Sequence, residues 1–240
     1  QYYDEYGVWY PDWFEFDVTQ TYLVDANSSA TISVTGDEAD IANTPIELVA
    51  GWNWIGYLPQ VVWDVDSAFD GATLEHGDIL KTQSDFTNYY GGWGWYPGAA
   101  DGFVLYPLSG YQLKVASGST FTYPEGNGVA SNSNNFNDDL ELNRTDSNDM
   151  AWDVNIHDYE FNGSITSKVF IDGIQMGSDE DLLALFVGDE CRGVAKARKS
   201  PFEDNSYVFL LMGYTNEVDG EEMSLSYYDS KNDIVYNDIQ

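Results

Sequence analysis

Basic residues, cysteine and histidine are all scarce in this chain of 240 residues. Nine Lys and Arg residues stand against 41 Asp and Glu residues, which gives a formal net charge of −32. Nucleic acid is excluded as a partner because binding it requires a basic surface that displaces counterions. Anionic membrane surfaces are disfavoured for the same reason. Such an acidic surface stays soluble at high ionic strength, so a saline extracellular setting is expected.

The scarcity of cysteine and histidine limits the chemistry that the chain can perform. Cys191 is the single cysteine, so an internal disulfide is excluded. His76 and His157 are the only histidines, and they lie far apart in the sequence. Together with one cysteine they predict neither a zinc site nor a Ser-His or Cys-His catalytic set. No apolar run is long enough to cross a membrane. The sequence therefore predicts a protein that is not an enzyme, has no cofactor and does not insert into a membrane.

Aromatic residues are abundant, and they are arranged as in β-strands. They make up 16% of the chain, and hydrophobic residues 43%, which is enough for a folded core. Residues 51–59 read Gly-Trp-Asn-Trp-Ile-Gly-Tyr-Leu-Pro and alternate with period two. Trp52, Trp54 and Gly56 are expected on one face, and Asn53, Ile55 and Tyr57 on the other. This pattern is typical of a half-buried strand, here the centre of a small β domain.

Short β-like runs separated by Gly, Asn, Asp and Pro continue along the chain, and helical periodicity is almost absent. A short helical turn is expected from Asp64 to Phe69, with Asp64 as its cap. The fold class is therefore all-β, with two small sandwich-like or barrel-like modules and minimal helix. The predicted strands are residues 31–35, 46–48, 52–58, 103–106, 111–115, 120–123, 151–156, 164–171, 182–187, 193–197, 207–214, 223–228 and 234–236.

A segment rich in Gly, Asn, Ser and Asp separates the two groups of predicted strands. It spans residues 125–149 and contains few apolar side chains, so it is interpreted as a linker. One module is expected at residues 37–124 and the other at 150–240. Residues 1–36 form a separate aromatic N-terminal segment.

Both halves resemble modules of large secreted and cell-surface proteins of environmental bacteria. In the first half, the resemblance covers a strand, a "GDxIKxQ" segment and a "PGxGY" turn, which here reads Pro-Leu-Ser-Gly-Tyr from residue 107. In the second half, an "AFVGDECRGVA" pattern spans a strand, a tight turn and the next strand. The resemblance implies an extracellular protein of several modules, with no catalytic residues associated with them. The matching residues are 45–60, 77–83, Phe86, Tyr89, 93–95, 105–114, 161–165, 181–195 and 227–229.

The aromatic N-terminal segment suggests self-assembly. In the resembling proteins the second module continues with a further extended segment, so here that module is expected to lack a strand. An aromatic segment of another copy can fill such a gap by strand addition, which gives a head-to-tail filament. The alternative is that residues 1–24 pack on their own first module. The predicted interface consists of Tyr2, Tyr3, Tyr6, Trp9, Tyr10, Trp13, Phe14, Phe16, Arg192 and Lys196, the last two as acceptors for an acidic neighbour.

Two further sites are considered from local composition. Trp93, Trp95 and Tyr96 lie in a glycine-rich loop, where exposed rings could stack on sugars; burial of these tryptophans in the core is the alternative. Calcium could bind the acidic clusters at Asp146 with Asp149 and at Asp179 with Asp181.

The sequence thus predicts a non-enzymatic extracellular structural protein, either a filament subunit or an adhesin repeat. Its partners would be itself or other surface-protein modules. The alternative is a carbohydrate-binding module of a larger secreted protein, with a polysaccharide as its ligand.

Overall fold

The structure is a computed structural model that describes residues 2–3, 8–9, 15–24, 31, 36–128 and 152–239. The chain divides into two compact units. The first consists of residues 1–82 and 87–132, and the second of residues 83–86 and 133–240. The predicted linker at 125–149 lies mostly outside the described residues, as does most of the predicted strand at 31–35.

Strands are the main regular secondary structure of the described residues, and helix is confined to a few short turns, which confirms the all-β prediction. One short α-helix, α1 (Val65–Ala68), is capped by Asp64, whose carboxylate accepts a hydrogen bond from Ser67 N at 2.8 Å. Short 3-10 turns occur at Ile41–Asn43, Ala99–Asp101 and Ile156–Asp158. The strands before residue 132 are β1 (Tyr2–Tyr3), β2 (Val8–Trp9), β3 (Ile46–Leu48), β4 (Gly51–Gly56), β5 (Trp63–Asp64), β6 (Ile79–Lys81), β7 (Phe86–Tyr90), β8 (Gly94–Tyr96), β9 (Val104–Leu105), β10 (Gly110–Val115) and β11 (Ser119–Phe121). The later strands are β12 (Phe161–Ser167), β13 (Phe170–Ile171), β14 (Ile174–Gln175), β15 (Leu182–Val187), β16 (Glu190–Lys196), β17 (Arg198–Lys199), β18 (Tyr207–Thr215), β19 (Ser224–Asp229) and β20 (Ile234–Ile239).

The first unit is built on a five-stranded sheet in the order β4-β10-β6-β7-β8. Three two-stranded ladders accompany it: β1 with β2, β3 with β11, and β5 with β9. One face of the sheet contributes to the core. Its buried residues include Ile55, Leu80, Tyr111 and Leu113, each of which is at most 2% exposed. The rings of Tyr57, Tyr123, Phe69 and Trp95 belong to the same core. Aromatic residues thus supply much of the buried apolar area, as their abundance predicted.

The second unit has a three-stranded sheet, β12-β18-β17, and a four-stranded sheet, β16-β15-β19-β20. Leu183 and Leu185 from the second of these sheets pack in one core with Phe209 and Leu211 from the first. Side chains from both sheets therefore form a single apolar layer, which is the arrangement of a β-sandwich. A hairpin of β13 with β14 completes the unit.

Several strand boundaries differ from the sequence prediction. The predicted strand at 151–156 is wrong in its described part: residues 152–155 form no strand, and Asn155 instead caps the 3-10 turn at Ile156–Asp158. The predicted strand at 164–171 divides into β12 and β13. The prediction missed β6, β7 and β8, which are short or interrupted by glycine and polar residues.

Candidate functional site

Two tryptophans stand on the outer face of β4. The alternation along this strand is as predicted, and it places Asn53 and Ile55 on the buried face. Trp52 is 42% exposed and Trp54 is 43% exposed on the opposite face. Because they are two residues apart on one strand, their Cα atoms lie about 7 Å from each other. The most conspicuous residues of the sequence therefore do not form the core of the unit; they form a surface.

The register of the neighbouring strands places polar and basic residues beside these rings. Lys114 of β10 is directly opposite Trp52, and Gln112 is directly opposite Trp54. Gln112 is in turn opposite Lys81 of β6. Residues that are directly opposite in an antiparallel pair point to the same face, with Cβ atoms about 5 Å apart. We call Trp52, Trp54, Lys81, Gln112 and Lys114 the tryptophan face.

Lys81 lies beneath the Trp52 ring. Its Nζ is 4.6 Å from the ring centroid, within the range of a cation–π interaction. The residue is only 6% exposed, and this burial lowers the pKa of its ammonium group. Lys114, by contrast, is exposed. The two lysines therefore have different roles: Lys81 supports a ring from below, and Lys114 presents its ammonium group to solvent.

Part of the N-terminal segment covers the edge of β4 that does not pair with β10. Gln20 forms a bridge with Ile55, and Gly56 N donates a hydrogen bond to Thr19 O at 2.9 Å. Gly56 has no room for a side chain, because a Cβ there would overlap Val18 O. The described residues 15–24 thus run beside β4 of their own unit and protect a sheet edge.

This arrangement corrects part of the predicted assembly interface. The alternative prediction, that residues 1–24 pack on their own module, is confirmed for residues 15–24. Phe16 is 67% exposed and its ring lies edge-on to Tyr22 at 5.1 Å. The backbone of β1 pairs with β2, Tyr2 opposite Trp9. The other predicted side chains, Tyr2, Tyr3, Tyr6, Trp9, Tyr10, Trp13 and Phe14, lie outside what the structure describes.

The predicted glycan platform in the glycine-rich loop also needs correction. Trp93 is 61% exposed, but Trp95 and Tyr96 are 4% and 7% exposed. Trp95 packs against Phe69 at 5.7 Å and Tyr89 at 5.4 Å between ring centroids. Trp95 and Tyr96 both lie in β8 and are both buried, so the three rings cannot share one exposed surface. Trp93 remains as a single exposed ring at the turn.

The predicted basic acceptors in the second unit are engaged with their own carboxylates. Arg192 is 9% exposed and contacts Glu221 at 3.0 Å and Glu190 at 3.3 Å. Its guanidinium also lies 4.8 Å from the ring centroid of Tyr159. Arg192 is therefore wrong as an acceptor for a neighbouring subunit, because it is already buried and paired. Lys196 pairs with Glu180 at 2.7 Å on the surface.

The predicted calcium ligands in the second unit form hydrogen bonds within the protein. Asp181 is buried and accepts from Ser178 Oγ at 2.6 Å and from Ser230 Oγ at 2.7 Å. Asp179 accepts from Tyr207 Oη at 3.0 Å. Asp146 and Asp149 lie outside the described residues. Within the part of the chain that the structure describes, no three His, Cys, Asp or Glu side chains are grouped so that they could hold a metal.

The sequence analysis placed Trp52 and Trp54 on one face of a strand but assigned them to no site, and it missed Gln112, Lys81 and Lys114 as their neighbours. One signal was available: Lys81 and Lys114 are the only basic residues before residue 144. Comparison with protein-family models, with curated proteins and with solved structures finds no match for this chain. Among the described residues, none of the helices has the length and apolar character needed to cross a membrane.

Proposed function

We propose that this chain is a non-enzymatic module of an extracellular surface protein of the adhesin type, and that it binds a polysaccharide on the tryptophan face. The observation that carries the proposal is the outward position of Trp52 and Trp54. Two large rings more than two-fifths exposed on one strand are costly to leave in water without a partner. The acidic charge balance of the chain supports a saline extracellular setting.

The chemistry of the face suits sugar rings. An indole ring offers a flat apolar surface that can stack on the C–H face of a pyranose, and its edge stays solvated. Gln112, opposite Trp54, adds an amide that can both donate and accept hydrogen bonds with sugar hydroxyls. The spacing of the two rings along β4 lets them contact neighbouring sugars of one extended chain. An open sheet face of this kind accommodates a polymer.

The test is affinity electrophoresis and titration calorimetry of the full chain with a panel of soluble polysaccharides. We expect retardation of the wild type, and a loss of at least about tenfold in affinity in Trp54→Ala and in Trp52→Ala. Trp93→Ala is the matched control, because it removes an exposed indole from the turn between β7 and β8. A wild type that no polysaccharide retards would refute the proposal. So would an equal loss of affinity in Trp93→Ala.

We propose a second, separate function for the second unit: head-to-tail assembly by strand addition at β12. Among the strands that the structure describes, β12 lies at the edge of its sheet. Ile165 is opposite Leu211, which is fully buried, yet Ile165 itself is 42% exposed. An added strand would cover this side chain and supply ladder hydrogen bonds.

Electron microscopy and sedimentation velocity test this assembly. Ile165→Lys is expected to abolish polymers, since a charge on an edge strand opposes pairing. Ile174→Lys is the control, because it changes an isoleucine of the same unit that is 69% exposed and lies outside β12. A wild type that stays monomeric at all concentrations contradicts the second function and leaves the first intact.

A further inference from the structure

The basic residues of the first unit are confined to the tryptophan face. The first unit, residues 1–82 and 87–132, contains 17 Asp and Glu residues but only two basic residues, Lys81 and Lys114. Both lysines belong to the tryptophan face. Moreover, β4, β6 and β10, which carry this face, contain no Asp or Glu. On an otherwise acidic unit, these strands form a small surface of the opposite charge.

Lys114 is the accessible cation of this surface. It is exposed, and it lies opposite Trp52 across the β10–β4 pair. Among the described residues, no carboxylate forms an ion pair with it, whereas Lys168, Lys196 and Lys199 of the second unit all have such partners. The Cβ atoms of such an opposite pair lie about 5 Å apart, so the Lys114 ammonium group can contact a charged substituent of a sugar that stacks on the Trp52 ring.

Lys81 acts on the ligand through Trp52. Its Nζ lies under the ring, and the side chain is nearly covered. The cation–π interaction fixes the orientation of the ring, because a rotated indole would lose the contact. Lys81 is thus a positioning residue.

We propose that the ligand of the tryptophan face is an anionic polysaccharide whose charge is carried by uronic acid carboxylates. The inference rests on the proposed polysaccharide binding and identifies its substrate class. Trp52 and Trp54 stack on the sugar rings, and Lys114 binds a carboxylate. A single accessible ammonium group suits a polymer of moderate charge density, because a heavily sulfated polymer would meet more repulsion from a unit that carries 17 Asp and Glu residues and two lysines.

The probe is polygalacturonate, compared with its methyl ester, which has the same backbone without the charge. In about 0.15 M salt, where the Debye length is about 8 Å, calorimetry is expected to give an affinity at least about tenfold higher for the free acid. Lys114→Gln should remove this difference by lowering the affinity for the free acid to that for the ester. Lys114→Arg should retain it, and the control Lys196→Gln should have no effect. Lys81→Gln should weaken both ligands by the same factor, because it acts through the ring.

The outcomes separate the inference from the proposed function. Equal affinity for both forms, with Trp54→Ala still abolishing binding, refutes the anionic ligand and keeps polysaccharide binding. Binding of neither form, nor of any other polysaccharide, refutes both. The chain could also bind dextran sulfate more strongly than polygalacturonate and lose this binding in Lys114→Gln. That result would show that Lys114 binds a sulfate group, and it would overturn the assignment to uronic acids. Self-association that Lys114→Gln abolishes would show that an acidic segment of a second copy occupies the face, which also overturns it.

Discussion

The hydroxyl of Tyr227 donates a hydrogen bond to the carboxylate of Asp181 inside the second unit. Tyr227 is fully buried and Asp181 is 2% exposed. The same carboxylate accepts from Ser178 Oγ, Ser230 Oγ and Ser230 N. Four donors thus satisfy one buried charge. They connect the start of β15 to β19, to the loop that follows β19 and to the loop that precedes β15. The role of Asp181 is therefore structural.

Removing this carboxylate should destabilise the second unit strongly. In Asp181→Ala the Tyr227 hydroxyl and two serine hydroxyls lose their acceptor in a buried site, so we expect a loss of at least about 3 kcal/mol in the free energy of unfolding. Asp179→Ala is the control: that carboxylate is exposed, and its loss should cost at most about 1 kcal/mol. Urea unfolding followed by circular dichroism measures both. Similar midpoints for the two variants would contradict this role of Asp181.

The contribution of Asp181 to stability should also depend on pH in the acid range. Burial raises the pKa of Asp181, but hydrogen bonds from Ser178, Tyr227 and Ser230 lower it and prevail, so the pKa lies below the usual value. A carboxyl with a lowered folded pKa stabilises the protein above its unfolded pKa of about 3.9, and this stabilisation is lost as the pH falls through the folded pKa. The stability gap between wild type and Asp181→Asn should therefore narrow below about pH 4. If the difference in stability between wild type and Asp181→Asn stayed constant below about pH 4, the charge of Asp181 could not be the origin of that difference.

Local patterns in the sequence predicted the strands but not the surface that they build. Alternation in residues 51–59 predicted β4 and the division of its side chains between two faces. It could not tell which face was buried, since Trp52 and Trp54 are as apolar as Ile55. That choice depends on the partners of β4, which come from β10, more than 50 residues later in the chain.

The tryptophan face shows the same limitation. Lys81 and Lys114 lie on strands that meet Trp52 only through antiparallel pairings distant in sequence. Spacing along the chain carries no information on such a register. The loop prediction failed for a related reason: Trp93 and Trp95 look equivalent in sequence, but strand β8 begins between them and turns the second ring inward.

Asn53 should prove essential to the first unit although it is not part of the tryptophan face. Its Nδ2 donates to the carbonyl oxygens of Val49 at 2.8 Å, Gly51 at 3.0 Å and Leu113 at 3.2 Å, and its Oδ1 accepts from Val49 N at 2.8 Å. Asn53→Asp keeps the shape but points a second oxygen at three carbonyls. We expect a loss of about 3 kcal/mol or more, measured by urea unfolding. Gln112→Glu, an equivalent change on the outer face of β10, should cost less than about 1 kcal/mol. Equal losses would contradict this account.

Gly193 should not tolerate a side chain. A Cβ at this position in β16 would overlap the carbonyl oxygen of Met212 in β18. Gly193→Ala therefore forces a backbone shift, and we expect a loss of about 2–3 kcal/mol in the free energy of unfolding. Gly163→Ala in β12 is the matched control, because nothing lies within 4 Å of its added Cβ. The control should change stability by less than about 0.5 kcal/mol. A tolerant Gly193→Ala would show that β16 and β18 can separate freely.

Tyr123 carries a buried hydroxyl whose removal should stabilise the first unit. Among the described residues this hydroxyl has no hydrogen-bond partner, whereas the ring packs on Tyr57 at 5.2 Å and on Phe121 at 5.1 Å. Tyr123→Phe keeps the ring and removes an unsatisfied group, so we expect a gain of about 1 kcal/mol. Tyr111→Phe should instead lose stability, because the Tyr111 hydroxyl accepts a hydrogen bond from Tyr106 N at 2.8 Å. Thermal unfolding compares the two, and a loss in Tyr123→Phe would indicate a bound water.

Alkaline pH should unfold the protein through its buried tyrosines. Burial raises the pKa of Tyr111 to about 12, against the hydrogen bond from Tyr106, which lowers it. Burial also raises the pKa values of Tyr57, Tyr123 and Tyr227. A tyrosine with a raised folded pKa contributes stability that is complete below its unfolded pKa of about 10 and is lost as the pH rises through the folded value.

For Tyr111 alone, a folded pKa of about 12 against an unfolded pKa of about 10 corresponds to a loss of about 3 kcal/mol between roughly pH 10 and pH 12. Urea unfolding midpoints should therefore fall steeply across this interval, together with the appearance of tyrosinate absorbance. The fall should be shallower in Tyr111→Phe, since that variant has one fewer proton to lose on unfolding. Midpoints that stay level to pH 12 would show that these phenols ionise without unfolding the core, and hence that water reaches the ring cluster of the first unit.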